Sequence, residues 1–312
     1  MFQKMANINW YPGHMHKASK EMRKIIPQVD LIIEILDARI PFSSENPMLA
    51  EIRGDKPCIK VLSKCDLADP VITQQWQDYL EQEKGVKTIA LTTEQPEKMH
   101  GLLGLCHKMV PAKENGSERL EAMIIGIPNV GKSTLINNLA GRHIAKTGNE
   151  PAVTKMQQRI KLDQGIVLLD TPGVLWPKLE NRHGGYRLAI TGAIKETAIS
   201  NDDIAMYAVD YIRRAYPDLL KARYQLEELP EDELELLEII GTKRGCLRAG
   251  GRVDLDRAAK ILLTEFRDIT IGRITLETPA MMEQELIEMA AIREQKEAKK
   301  AARKNKRHGS RN

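Results

Sequence analysis

Glu121-Ala122-Met123-Ile124-Ile125-Gly126-Ile127-Pro128-Asn129-Val130-Gly131-Lys132-Ser133 decides how this chain folds. Its first seven residues are mostly apolar and lack helical spacing, as in a strand buried on both faces. The segment from Lys132 to Leu139 reads as a helix. Between them, Gly126 to Ser133 satisfies the pattern Gly-x4-Gly-Lys-Ser/Thr in the strand-then-helix context that the motif requires. Such a loop turns successive backbone N–H groups toward phosphate oxygens, and the positive end of the helix adds to the attraction. Val130, Gly131 and Thr134 then line the phosphates. Lys132 reaches the β- and γ-phosphates of a nucleoside triphosphate as a catalytic cation, and Ser133 ligates magnesium.

Downstream, Arg159–Leu162 and Gly165–Leu169 read as a hairpin turning at Asp163-Gln164. The second strand runs into Asp170-Thr171-Pro172-Gly173. There Asp170 is placed for the magnesium shell, and the Gly173 N–H for the γ-phosphate. Thr154, in the polar loop Thr147–Lys155, is the candidate switch threonine on magnesium. Val174 stands where many nucleotide hydrolases place a water-orienting glutamine, so weak intrinsic hydrolysis is expected. Beyond Pro177 strand patterns nearly vanish. Helices are expected over Asn201–Arg214, Glu231–Ile240 and Asp254–Phe266. The last of these aligns Leu255, Ala258, Ala259, Leu262, Leu263 and Phe266 on one face.

Upstream, Val29–Leu36, Cys58–Leu62 and Lys87–Leu91 read as three further buried strands, and Glu97–Val110 as a helix. The fold class is α/β with a parallel sheet, followed by a smaller all-α part. Ser63-Lys64-Cys65-Asp66 follows the second of these strands. A carboxylate at Asp66 can accept two hydrogen bonds from guanine, which adenine cannot supply. The Lys64 stem would pack over the base plane. Ser63 replaces the usual Asn of the Asn-Lys-x-Asp motif. Thr92 and Thr93 end the next strand, where a backbone N–H meets the base oxygen. The base motif therefore precedes the phosphate loop, a circular permutation of the common GTPase order. GTP and GDP are the expected ligands. Two other classes stay open: a P-loop kinase or ATPase with an accidental SKCD, and an RNA-binding scaffold with little turnover.

Charge is unevenly spread. Arg293–Asn312 holds nine of the chain's 47 basic residues and two of its 43 acidic ones, so the preceding body is slightly acidic. A basic end implies a polyanionic partner or a solvated, disordered tail. Four cysteines without CxxC spacing, no apolar run of about 20 residues and no secretory leader lead to the expectation of a reduced, cytoplasmic protein with no membrane contact. The expected division is 1–178 for the nucleotide-binding part with its N-terminal arm, 179–292 for the helical part and 293–312 for the tail.

Taken together, NWYPGHMHKA, LDARIPFSSENP, SKCD, GIPNVGKST, DTPGVLWP and RGCLRAGGRVDLDRAA resemble the RbgA (YlqF-type) family of ribosome biogenesis GTPases, over residues 9 to about 276. The resemblance implies GTP hydrolysis during assembly of the large ribosomal subunit, stimulated by the particle and linked to release. It also implies contact of the helical part with ribosomal RNA. His14 corresponds to the family's proposed catalytic histidine, although by itself it reads as an ordinary surface or capping residue. Asn129 corresponds to a potassium ligand of related GTPases, or else simply stabilises its loop. The long basic tail departs from the family pattern.

Overall fold

Strand β1, Leu31–Asp37, is buried along its entire length, and the sheet grows outward from it on both sides. Its neighbours are β2, Cys58–Ser63, and β4, Leu120–Gly126, both parallel to it. Beyond them lie β3, Val86–Leu91, on one flank and β6, Ile166–Asp170, on the other. An antiparallel edge strand β5, Gln158–Lys161, completes the order β3-β2-β1-β4-β6-β5. Continuous Ile, Leu, Val and Met in β1, β4 and β6 suit strands covered on both faces, whereas β5 alternates and buries only Ile160. Gln164 and Gly165, both at positive φ, make the turn between β5 and β6. The chain winds outward from β1 through β2 and β3, then restarts at β4 on the other side. The carboxyl ends of β1 and β4 therefore frame a topological switch point, the crevice in which open α/β sheets bind ligands.

The computed structural model describes residues 20–309 except 21, 93–94, 112–118, 145–157, 172, 174–180 and 195–199. Two short helices, α1 (Pro41–Ser44) and α2 (Pro47–Arg53), follow β1. Helix α3, Pro70–Leu80, starts with proline at its first position and an Asp69 carboxylate accepting from the Val71 and Ile72 N–H groups. Helix α4 covers Pro96–Met109, and α5, Lys132–Leu139, leaves the phosphate loop.

The expected helical part is present as α6 (Arg182–Ile190), α7 (Asn201–Ala215), α8 (Pro217–Tyr224), α9 (Glu233–Lys243) and α10 (Leu255–Arg267). In α10 the apolar face read from spacing is the buried one; Leu255, at its start, is partly buried. Its Glu265 is buried as well, held by Arg223, Arg244 and the Tyr224 hydroxyl.

One continuous apolar cluster includes Ile33 and Ile124 of the sheet and Val209, Leu237 and Leu262 of the helical part. A buried ionic knot reinforces this union. Arg187 of α6 pairs with Glu277 at 3.1 Å and with Glu285 at 2.5 Å. Glu277 also accepts from the Ser43 N–H and hydroxyl, and its carbonyl accepts from the Trp76 indole at 3.0 Å. Glu285 belongs to the last helix, α11, which runs from Pro279 to Gly309. The expected tail from residue 293 falls within this helix, which continues through that point. Its Ala-, Glu-, Lys- and Arg-rich sequence has high helix propensity, and no Gly or Pro interrupts it before Gly309. Residues 310–312 lie outside the described residues.

Candidate nucleotide site

The phosphate loop connects β4 to α5 at the switch point, and its glycines do separate work. A Cβ on Gly126 would come within 2.9 Å of the Val130 side chain and 3.0 Å of the Ile35 carbonyl. Gly131, at φ +91°, makes the turn into the helix, and Asn129 also lies at positive φ, +61°. Lys132 and Asp170 are buried, and they form an ion pair between the helix start and the end of β6. Burial raises the Asp170 carboxyl above its usual value, and the Lys132 ammonium opposes that rise. The second carboxylate oxygen, Asp170 Oδ2, is buried and has no hydrogen-bond partner among the described residues. A buried acceptor without a donor fits a magnesium-bound water. Ser133, half-buried one residue into the same helix, lies on the adjoining turn. Gly173 packs against the loop: a Cβ there would lie 3.2 Å from the Pro128 nitrogen.

The base motif sits directly on this loop despite the 65 residues that separate Lys64 from Asn129. Lys64 Nζ donates to the Asn129 carbonyl at 2.6 Å and pairs with Asp37 at 3.0 Å. Ser63 Oγ lies 2.6 Å from the Val130 carbonyl and 2.8 Å from the Leu36 carbonyl. The departure from Asn at this position therefore keeps a donor against the loop. Burial lowers the Lys64 ammonium from its usual value, and Asp37 works against that shift. Asp66 is half-buried at the surface of the turn after β2. Thr92 is buried after β3, and its carbonyl accepts from the Gln95 N–H at 3.4 Å. The Asn129 amide donates to the Gly192 carbonyl at 2.8 Å, so the loop also touches the turn after α6.

The structure thus brings together Ser63, Lys64, Asn129, Val130, Gly131, Lys132, Ser133, Asp170 and Gly173. His14, Thr93, Thr154 and Val174 lie outside the described residues. Asp37 and Arg39 were not singled out by sequence reading. The available signal was an Asp and an Arg two apart at the end of a mostly apolar strand, where charges must be paired to be buried.

A family model described as "50S ribosome-binding GTPase" matches residues 121–243, which include the phosphate loop and Asp170. The ribosome biogenesis GTPase A of Priestia megaterium is 46% identical over 287 residues, covering 89% of this chain and 99% of the relative. This chain belongs to the ribosome biogenesis GTPase A family. It is a P-loop GTPase with a circularly permuted motif order, and it hydrolyses GTP. The Thermotoga maritima relative of the same name is 29% identical over 273 residues, covering 87% of this chain and 95% of its own. Among solved structures, GDP-bound YlqF superposes with a TM-score of 0.60 at 26% identity, covering 83% of this chain and 99% of that one. GNP-bound YlqF from T. maritima gives 0.58 at 27% identity, covering 84% and 98%. GTPase sites typically use magnesium, and the oxygen acceptors of Asp170 and Ser133 fit such an ion. Among the described residues no helix is long and apolar enough to cross a membrane.

Proposed function

We propose that this GTPase acts in the cytoplasm during assembly of the large ribosomal subunit, that the particle stimulates its hydrolysis, and that hydrolysis is linked to release. The observation that carries the guanine reading is the seating of Ser63 and Lys64 on the carbonyls of Val130 and Asn129. An accidental SKCD would have no reason to clasp the phosphate loop. The names of the relatives support the ribosomal setting, among them mitochondrial ribosome-associated GTPase 1 of Ictalurus punctatus, 37% identical over 254 residues.

In this reading Asp66 accepts from the guanine edge, the Lys64 stem covers the base, and Thr92 and Thr93 lie beside the base oxygen. Val130, Gly131, Ser133 and Thr134 present the loop to the phosphates. Lys132 exchanges the Asp170 carboxylate for the β- and γ-phosphate oxygens. Asp170, through water, Ser133 and Thr154 hold magnesium, which would neutralise charge between those phosphates. The Gly173 N–H meets the γ-phosphate. Asn129, whose amide donates to the Gly192 carbonyl, would be the potassium ligand. Val174 cannot orient water, so His14 of the N-terminal arm takes that role. Residues 1–178 form the GTPase part, and 179–292 with the basic end meet ribosomal RNA.

Single-turnover hydrolysis with and without saturating large subunits tests this. We expect slow hydrolysis by the free protein and acceleration by the particle. His14→Ala should keep GTP and particle binding but lose most of the acceleration. Equal rates with and without particle would remove the ribosomal part of the reading. Full stimulation of the variant would remove His14.

A further inference from the structure

Asp37 ends β1 at the switch point and is buried, yet it is not among the groups that the phosphate chemistry requires. Its two oxygens are fully engaged. Oδ1 accepts from the Arg39 backbone N–H at 3.0 Å and from Arg39 Nε at 2.9 Å, while Oδ2 accepts from Arg39 Nη2 at 2.7 Å and from Lys64 Nζ at 3.0 Å. Its own N–H donates to Ser44 Oγ at 3.0 Å, which fixes the turn that follows the strand. Burial alone would raise this carboxyl, but the Arg39 and Lys64 cations beside it hold it well below the usual carboxylate range.

Lys64 needs such an anchor. It sits at φ +56°, a left-handed backbone conformation that residues with a Cβ rarely adopt, at the sharp exit from β2. Its ammonium bridges Asp37 and the Asn129 carbonyl, so the side chain is stretched between the end of one strand and the phosphate loop of another. Arg39 is in turn fixed from the helical part: its guanidinium lies 5.4 Å from the centre of the Phe266 ring. The Arg39 carbonyl accepts from the Leu276 N–H at 2.8 Å. A path of direct contacts therefore runs from helix α10 through Arg39, Asp37 and Lys64 to the phosphate loop.

We propose that Asp37 and Arg39 are positioning residues for guanine-nucleotide binding, which lock Lys64 in the pose that covers the base and clasps the phosphate loop. This rests on Ser63–Asp66 being the base site. Removing the charge of Asp37 would leave two cations facing each other across a neutral amide, and Lys64 would leave. Nucleotide affinity would fall, while the chemical step, once nucleotide is bound, would not.

The test is a double-mutant cycle on GDP affinity with Asp37→Asn and Lys64→Met, together with single-turnover hydrolysis at saturating GTP. Each single variant should weaken GDP binding by about tenfold, and Asp37→Asn should keep a saturated rate within about twofold of the unmutated protein. The double variant should bind no worse than Lys64→Met alone. An unchanged affinity in Asp37→Asn, or an equal further loss in the Lys64→Met background, would overturn the proposal. Should Asp37→Asn fail to fold, Arg39→Lys takes its place in the cycle. It keeps the charge and removes the fork, so a smaller loss that vanishes with Lys64→Met is expected, and additivity would again overturn the proposal. Asp66→Asn in parallel separates the two levels. If it leaves guanine preference unchanged, the base-site reading itself is wrong. If it shifts preference while the cycle is additive, only the positioning role fails.

Discussion

The charges at the carboxyl end of the sheet and those on the outer surface of the helical part are handled in opposite ways. Asp37, Arg39, Lys132 and Asp170 are buried, each against a partner of opposite sign. On the helical part, Lys243 and Arg252 are exposed, as is Arg293 on α11. Two neighbouring cations are paired within the protein: Arg244 with Glu265, and Arg248 with Asp254. Buried paired charge fixes geometry, because a misplaced partner leaves an uncompensated ion. Exposed charge of one sign sets no geometry but attracts a polyanion and is screened by salt. The sheet edge therefore suits a ligand of defined shape, and the basic surface suits an extended phosphate backbone.

That contrast can be broken most severely at Lys132. Lys132→Ala should lower hydrolysis at saturating GTP by about 100-fold or more, since a phosphate-directed cation is lost from a water-poor site. It also leaves Asp170 buried without its partner, so a thermal melt should accompany the rate. A rate within a few fold of the unmutated protein would place phosphate stabilisation elsewhere.

The opposite surface should respond gradually. Truncation before Arg293 removes nine basic residues. It should weaken RNA binding and flatten the dependence of log affinity on log salt by roughly one unit for each phosphate that the protein no longer neutralises. GTP affinity should stay put. Unchanged affinity and slope would mean that this part of α11 meets no nucleic acid.

These two regions also differ in how far they were legible in sequence. The six strands lie within a residue or two of where their patterns place them, because both-face burial in β1, β4 and β6 leaves a nearly unbroken apolar run and the one-sided β5 alternates. The phosphate loop was legible because the close approach at Gly126 and the turn at Gly131 each demand glycine. The Asp37–Arg39–Lys64 chain was not, since its partners come from different strands and only the folded sheet brings them together. The Arg187–Glu277–Glu285 knot escaped for the same reason, its members lying up to 98 residues apart. In the basic end, charge density masked a strong helical composition. The short helices α1 and α2 span only four and seven residues, too few for periodicity to register.

A finer test of buried charge lies deeper in the sheet. Glu34 is pushed up to about 8 by burial, with Glu45 adding to the rise and Lys60 opposing it. The ordinary value is near 4.5, so folding takes up a proton between 4.5 and 8, and stability should fall as pH rises across that window. Glu34→Gln keeps the acceptor for the Asn46 N–H and removes the titration. The loss of stability between pH 6 and 8 should shrink in this variant by on the order of 1–2 kcal/mol. Parallel pH profiles in the two proteins would show that Glu34 ionises as an ordinary carboxyl.

The central claim is that a guanine-reading motif placed before the phosphate loop serves this GTPase. Competition binding of guanosine and xanthosine diphosphates to Asp66→Asn tests it most directly. An amide offers a donor where the carboxylate accepted, and xanthine has a carbonyl to receive it. The expected result is a folded variant whose preference moves from guanosine toward xanthosine diphosphate by about tenfold or more. A folded variant that prefers guanosine diphosphate as strongly as the unmutated protein would contradict the assignment of Asp66, and with it the permuted base site.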